Sequence, residues 1–403
     1  IGSAVRTSKT LRRDARCMLP SLQHSLTAAV VIGYAGRVVV AKHRSNTVRT
    51  DKENTGESRM FNALSGIPAL RPNKAARTEA AASGLVNTAD RIPGAKLDIK
   101  TIVLVVHGVK STETAGAAQV ETVRALAAER GMTVQEVVTE RPGHCETLVA
   151  EADLSGVDAI GVMGGDGTLR EGVSGMLART ANDRCPIFVF PVGTGNNFAG
   201  DLGIRSIQDM FAVIDKGATH AVDAVKVTHP LGTTYSINCV TWGLAREAAE
   251  TAEGWRLLGP LRYDLAGFYH ILLDKLNFAK IGASVTAAPA PVPAAHEDYL
   301  MMFAQNTRCS GRGFTFCPLA KLDDGMFDLV AVKKSGIFRT IGLFNQVKTD
   351  GGHVEDPAVC YLQARTMALT AQDAGDLVNI DGEVNVGTPV TVDACQGAFL
   401  TLV

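Results

Sequence analysis

The residues of this chain best suited to chemistry are acids and glycines at three turns. Asp158 to Leu177 reads DAIGVMGGDGTLREGVSGML. Its first six residues form an apolar run of strand length, and Leu169, Val173, Met176 and Leu177 then recur at helical spacing. Between them lie Gly164, Gly165, Asp166, Gly167 and Thr168, a strand running through glycines into a helix N-terminus. Free backbone N–H groups and the helix dipole favour a phosphate at such a junction. One carboxylate, Asp166, stands inside it. A negative side chain beside bound phosphate is costly unless it holds a metal, accepts a proton or bonds a hydroxyl. Phe190-Pro-Val-Gly-Thr-Gly-Asn-Asn197 is a second junction of the same kind, and Asn379-Ile-Asp-Gly-Glu383 is an acidic turn near the C-terminus.

Each feature also has a plainer reading. Asp166 suits an Asx turn or helix cap, Asn196 a cap, Glu171 a solvated helix face, and Asp381-Gly382 a hairpin. What raises the chemical reading is their order. GGDGTLxE, PxGTGN and a late DGE resemble the diacylglycerol kinase catalytic fold, and its eukaryotic sphingoid-lipid kinase branch in particular, over roughly residues 100 to 403.

The resemblance implies an ATP- and Mg2+-dependent lipid kinase acting on the primary hydroxyl of a sphingoid base, with a ceramide or diacylglycerol/acylglycerol kinase, and then a non-catalytic relative, as alternatives. It makes Asp166, Asp381 and Glu383 the catalytic acids. Gly164, Gly165, Gly167, Thr168, Gly193, Thr194, Gly195, Asn196 and Gly382 then frame the nucleotide, and Glu171 meets its ribose or orients the loop. Thr139 and His144 match the family's TxxxxHA loop, which contacts nucleotide. Trp255-Arg-Leu-Leu-Gly-Pro-Leu-Arg-Tyr263 resembles the WLGxxR segment of sphingosine and ceramide kinases, where arginines matching Arg256 and Arg262 reach the ATP phosphates. Trp255 and Tyr263 fall on the substrate side. The sphingosine kinases' head-group aspartate falls in register on Glu250, with Ala249 and Glu247 beside it. Asp324, in Asp323-Asp-Gly325, matches a segment that holds a structural Mg2+ in bacterial members. The family's NPxSG loop is replaced by His107-Gly108-Val109-Lys110-Ser111, leaving Gly108, Lys110 and Ser111 for phosphate.

These sites need a scaffold, and the 403 residues supply one at 46% hydrophobic. Thr101–Val106, Met132–Val138 and Asp158–Met163 read as strands alternating with helices over Thr114–Arg130 and Glu146–Ala152. That pattern predicts a doubly wound, Rossmann-like α/β domain of the NAD kinase and diacylglycerol kinase kind, residues 99–220, binding nucleotide at the strand ends. From 221 to 403 strands follow one another (221–228, 234–240, 299–305, 327–332, 364–370, 389–392, 398–403), a mainly antiparallel lipid-substrate domain. A helix over Trp255–Phe278 interrupts it, and its apolar stripe suits either a core, a lipid-chain pocket or a membrane surface. Ala287–Ala295, with three prolines, reads as a loop.

Residues 1–98 read as a low-order basic tail or a targeting segment, with nine Lys/Arg against one acid in the first fifty. The net charge of −1 argues against nucleic acid as a partner. Eight scattered cysteines without a CxxC pair fit reduced thiols in a cytoplasmic protein. No apolar run reaches membrane-spanning length. The expected partners are a lipid substrate and a peripherally visited membrane surface, with organelle targeting open; oligomeric state is not legible.

Overall fold

The computed structural model describes residues 96–403 apart from 109–113, 256–257, 259–260, 278–282, 290–298, 312–313, 372 and 374. The expected N-terminal tail therefore lies outside the described residues as far as residue 95. The first sheet holds β1 (Thr101–Val106), β2 (Thr133–Val138), β3 (Ala159–Gly164) and β4 (Ile187–Pro191), in the order β2-β1-β3-β4. All its pairings are parallel. Every residue of β3 and β4 is buried, as strands covered on both faces require. Helices α1 (Thr114–Glu129), α2 (His144–Glu151), α3 (Asp166–Ala178), α4 (Asn197–Asp201) and α5 (Ile207–Lys216) provide the crossovers and cover. Helix α5 shows how firmly local signals act: Ser206 Oγ accepts the Asp209 N–H at 3.1 Å, and Gly217 ends the helix at φ 63°.

The second sheet is built from β5 (Thr219–His229), β6 (Gly232–Ser236), β7 (Cys239–Gly243), β8 (Ala283–Pro289), β9 (Tyr299–Gln305), β10 (Phe327–Lys333), β11 (Val359–Ala371), β12 (Leu377–Ile380), β13 (Val384–Gly387) and β14 (Val390–Leu402). Its order is β13-β12-β7-β9-β10-β11-β14-β5-β6, with β8 also on β11. Helices α6 (Leu244–Gly254), α7 (Leu261–Asn277) and α8 (Ile337–Thr349) pack beside it. This is the α/β domain plus antiparallel β domain that the sequence predicts.

Three elements differ from expectation, each for a local reason. The strand expected over 234–240 is two strands, because Ile237 and Asn238 turn their N–H groups to Asp381. The helix expected from Trp255 begins at Leu261, after Pro260, and a separate α6 precedes it. Helix α6 escaped notice because its apolar face is mostly alanine (Ala245, Ala248, Ala249, Ala252). Finally, 389–392 and 398–403 are one strand, β14, interrupted by a bulge between Cys395 and Phe399. Of the expected loop, Ala287–Pro289 belongs to β8.

Strand β14 locks the two domains together. Phe399 and Leu402 are buried in the core of the first domain, with Phe399 6.0 Å from the ring of Phe198, while Val390 and Val392 lie in the core of the second. Leu402→Ala is expected to cost about 2–5 kcal/mol, read as a lower urea midpoint with an unchanged slope.

Candidate active site

The two glycine junctions meet backbone to backbone. A Cβ on Gly193 would lie 2.4 Å from Gly165 Cα, and one on Gly164 2.6 Å from Thr168 Oγ1, so neither position has room for a side chain. Val192 N–H donates to the Gly164 carbonyl at 3.2 Å. Helix α3 starts at Asp166 behind Gly165, with no side chain capping its first turn. Its leading N–H groups are thus left without a side-chain cap, the condition an anion at a helix N-terminus requires.

Asp166 faces the second junction. Its Oδ2 accepts Asn197 N–H at 2.9 Å and Asn197 Nδ2 at 3.3 Å, and its Oδ1 accepts Phe198 N–H at 3.2 Å. It is half-buried, and desolvation pushes its pKa up to about 6. The Asn197 and Phe198 N–H groups hold it down, the Asp381 charge raises it, and the Asn238 side chain lowers it. Thr194 and Gly195 form the tip of the second loop, where a Cβ on Gly195 would sit 3.2 Å from Asp166 Oδ2. Asn196 commits its amide to its own loop, accepting Gly193 N–H at 3.1 Å and donating to the Gly193 and Pro191 carbonyls at 2.9 and 3.2 Å.

Asn196 (φ 53°) and Asp381 (φ 52°) are the two non-glycine residues with left-handed backbone among those described, and both belong to this site. Strain of about 1–3 kcal/mol at each persists only where neighbours over-determine the geometry. For Asp381 the neighbours are plain. Its carboxylate accepts Ser236 Oγ (2.7 Å) and the N–H groups of Ile237 (2.9 Å), Asn238 (3.0 Å) and Cys239 (2.8 Å), and its own N–H donates to the Cys239 carbonyl (2.9 Å). Its oxygens, expected to serve as base or metal ligand, here clamp the β12–β13 hairpin to the β6–β7 turn. Gly382, at φ 82°, donates to Asn379 Oδ1 and lets the hairpin turn. Glu383 then lies over the first turn of α3, so close that a Cβ on Gly167 would come within 1.9 Å of its Oε1.

Glu171 accepts Gly143 N–H at 2.8 Å and Cys145 N–H at 3.3 Å, capping α2 from the neighbouring helix. His144 Nδ1 accepts Glu140 N–H at 3.0 Å, and Thr139 Oγ1 accepts Gly108 N–H at 3.0 Å. Gly143, Arg170, Glu171, Ser174, Tyr235 and Glu383 line a polar cleft of about 480 Å³.

A second cavity, about 110 Å³ and almost wholly apolar, lies across the hairpin. Ile271, Met301, Phe303, Phe314 and Phe344 line it, and Asn379 and Gly382 close one end. From α6 it takes Leu244, Ala245, Ala248 and Ala249, while the expected substrate contacts Glu247 and Glu250 lie on the same helix outside the lining. The helix turns Glu250 outward to Arg246 (2.8 Å), and Glu247 pairs with His270 Nδ1 (3.3 Å), whose Nε2 meets Thr251 Oγ1 (2.7 Å). Tyr263 lines the cavity, and Trp255 packs edge-on against Tyr269. Arg262 donates to the Tyr263 hydroxyl at 2.8 Å and lies over its ring, on the cavity side of the hairpin. Arg256 lies outside the described residues, as do Lys110 and Ser111.

Asp324 is not brought to this site. It accepts Met326 N–H (3.0 Å) and Gln363 Nε2 (3.2 Å), and burial raises its pKa. Among the described residues no group of three His, Cys, Asp or Glu is placed to hold a metal.

Residues 102–227 match the diacylglycerol kinase catalytic domain, and residues 238–403 match the YegS C-terminal NAD kinase β-sandwich-like domain. The chain belongs to the diacylglycerol kinase/YegS family of lipid kinases. It is 28% identical over 306 residues to a protein of Pseudomonas aeruginosa named "Probable lipid kinase YegS-like", covering 75% of this chain and 94% of that one. It is 27% identical over 276 residues to the diacylglycerol kinase of Staphylococcus saprophyticus (68% and 83% covered). It is 23% identical over 311 residues to sphingosine kinase 1 of Arabidopsis thaliana (66% and 64% covered). A crystal structure of a diacylglycerol kinase from Bacillus anthracis superposes with a TM-score of 0.58 at 19% identity, over 76% of this chain and 98% of that one, which shows a shared fold. Relatives from both bacteria and a plant support the family and do not single out its sphingoid-lipid branch. Among the described residues no helix is long and apolar enough to cross a membrane.

Sequence reasoning missed Arg170, the open position of GGDGTLxE, which the helix turns into the polar cleft. It also missed Asn238, whose only sequence signal is a polar residue in an apolar run.

Because burial disfavours the charged Asp166, its ionised form costs stability above pH 6, and that cost disappears below about pH 4, its ordinary range. Asp166→Asn should therefore keep or raise the melting temperature at pH 8. If the carboxylate takes the substrate proton, wild-type kcat/KM should fall about tenfold per pH unit below pH 6.

Proposed function

We propose that this chain transfers the γ-phosphoryl group of ATP to the primary hydroxyl of a neutral-headed lipid of the acylglycerol or ceramide class. The observation that carries the reading is the position of the 379–383 hairpin, with Asn379 and Gly382 on the apolar cavity and Glu383 on the polar cleft. A lipid tail in the cavity brings its hydroxyl to the same turn that faces the phosphates.

The glycine backbones of residues 164–167 and 193–195, the open first turn of α3, Thr168 and the loop held by Asn196 suit a triphosphate. Glu171, Thr139 and His144 shape the nucleotide wall. Glu383 is the carboxylate best placed for Mg2+, which when bound neutralises charge on the phosphate oxygens. Asp166 accepts the lipid hydroxyl's proton as its oxygen bonds to phosphorus and ADP leaves. Its raised pKa suits a base working near neutrality. Asp381 positions Glu383 through the hairpin. Asp324 shares its surroundings with Asp223 and Asp328, whose pKa values burial lifts to about 6 and about 7, but among the described residues no three of these acids are placed together to hold the Mg2+ expected there.

A neutral head group is supported by the face that α6 turns to the cavity, which carries alanines and not Glu247 or Glu250. A sphingoid base is the second reading, supported by the WRLLGPLRY segment and by Glu247 on the cavity's own helix. The exposed Leu258, Leu261 and Tyr269 beside the cavity suit a cytoplasmic enzyme that visits a membrane surface.

The test is label transfer from ATP with Mg2+ to sphinganine, ceramide, diacylglycerol and monoacylglycerol in mixed micelles. Label is expected in an uncharged lipid and lost in Asp166→Asn. Label confined to sphinganine, and abolished by Glu247→Gln, would establish the second reading instead. Ala249→Trp should raise the KM for lipid about tenfold or more with the KM for ATP unchanged.

A further inference from the structure

We propose that Arg170 binds the phosphates of the nucleotide in the polar cleft, with Glu383 as its counter-ion until they arrive. This rests on the cleft's being the nucleotide site.

Arg170 is 6% exposed, yet it lines the cleft. Its Nε has no hydrogen-bond partner among the described residues. The one ion pair recorded for it, Nη2 to Glu383 Oε2, spans 3.8 Å, beyond hydrogen-bond length. A buried cation is costly unless its N–H groups are paired, so this arrangement lacks an anion with more oxygens to offer. A guanidinium is built to take two oxygens of one phosphate.

The position within α3 points the same way. Arg170 lies one turn after Asp166 and Gly167, and long helical side chains lean towards the N-terminus. Its charge therefore adds to that of the helix's open first turn. The carboxylate of Glu383 sits over that turn with its side chain 53% exposed, so it can turn from Arg170 to water, or to Mg2+ where that is bound, when a stronger anion takes its place. Two further carboxylates share the cleft with Arg170: Glu171, which is directed to the N–H groups of Gly143 and Cys145, and Glu146, in the first turn of α2. Arg262, the expected phosphate ligand, is held on Tyr263 across the hairpin.

Calorimetric titration of the full chain, in EDTA to remove metal effects, tests this with ADP and adenosine as probes. Arg170→Met should weaken ADP about tenfold or more and leave adenosine unchanged, with Arg170→Lys between. Unchanged ADP affinity, or equal loss for adenosine, would overturn the assignment. If Arg170→Met does not melt cooperatively, Glu383→Gln decides. Removing the counter-ion should tighten ADP binding, and unaltered or weaker binding refutes the proposal. Wild-type protein that binds no ADP would remove the nucleotide reading itself, a failure distinct from the first.

Discussion

The site depends on one carboxylate that takes no direct part in the proposed reaction. Asp381 gathers four donors from the β6–β7 turn while its backbone is held at a left-handed φ. The β12–β7 ladder anchors the strand, and that clamp fixes the turn itself, which holds Glu383 against α3 and sets Asn379 and Gly382 at the apolar cavity. The β6–β7 turn presents Asn238 towards Asp166 and Cys239 to the cavity. A backbone strain is thus tolerated because five hydrogen bonds, counting the Asp381 N–H, over-determine it.

Asp166 shows the complementary choice. A freely solvated aspartate would be a weak base at neutral pH, while a fully apolar pocket would keep it protonated. Here burial raises its pKa and the N–H groups of Asn197 and Phe198 limit the rise. Those donors are positioned by the second glycine loop, whose conformation Asn196 fixes. The distance between the two junctions is set by glycines, since any Cβ on Gly193 would push Gly165 away.

Much of this was legible in sequence. Continuous apolar runs identified the parallel strands, and the glycine motifs located the residues that the fold brings together. The parts that were not legible have physical reasons. A carboxylate's role depends on which donors reach it, so Asp381 looked like a reactive acid until the 236–239 turn was seen around it. The direction of Glu250 was not legible because the rotation of α6, set by alanines with little periodic signal, decides which side chain faces the cavity. Arg170 was hidden by its type, since arginine on a helix is ordinarily solvent-facing and only its burial marks it.

The most direct measurement is a structure of the full chain with a non-hydrolysable ATP analogue and a short-chain diacylglycerol. The account predicts the phosphates over the first turn of α3, the acyl chains between Phe303 and Phe344, and the free hydroxyl about 3 Å from Asp166. A lipid bound elsewhere, or a hydroxyl on the far side of the 379–383 hairpin from the phosphates, would contradict it.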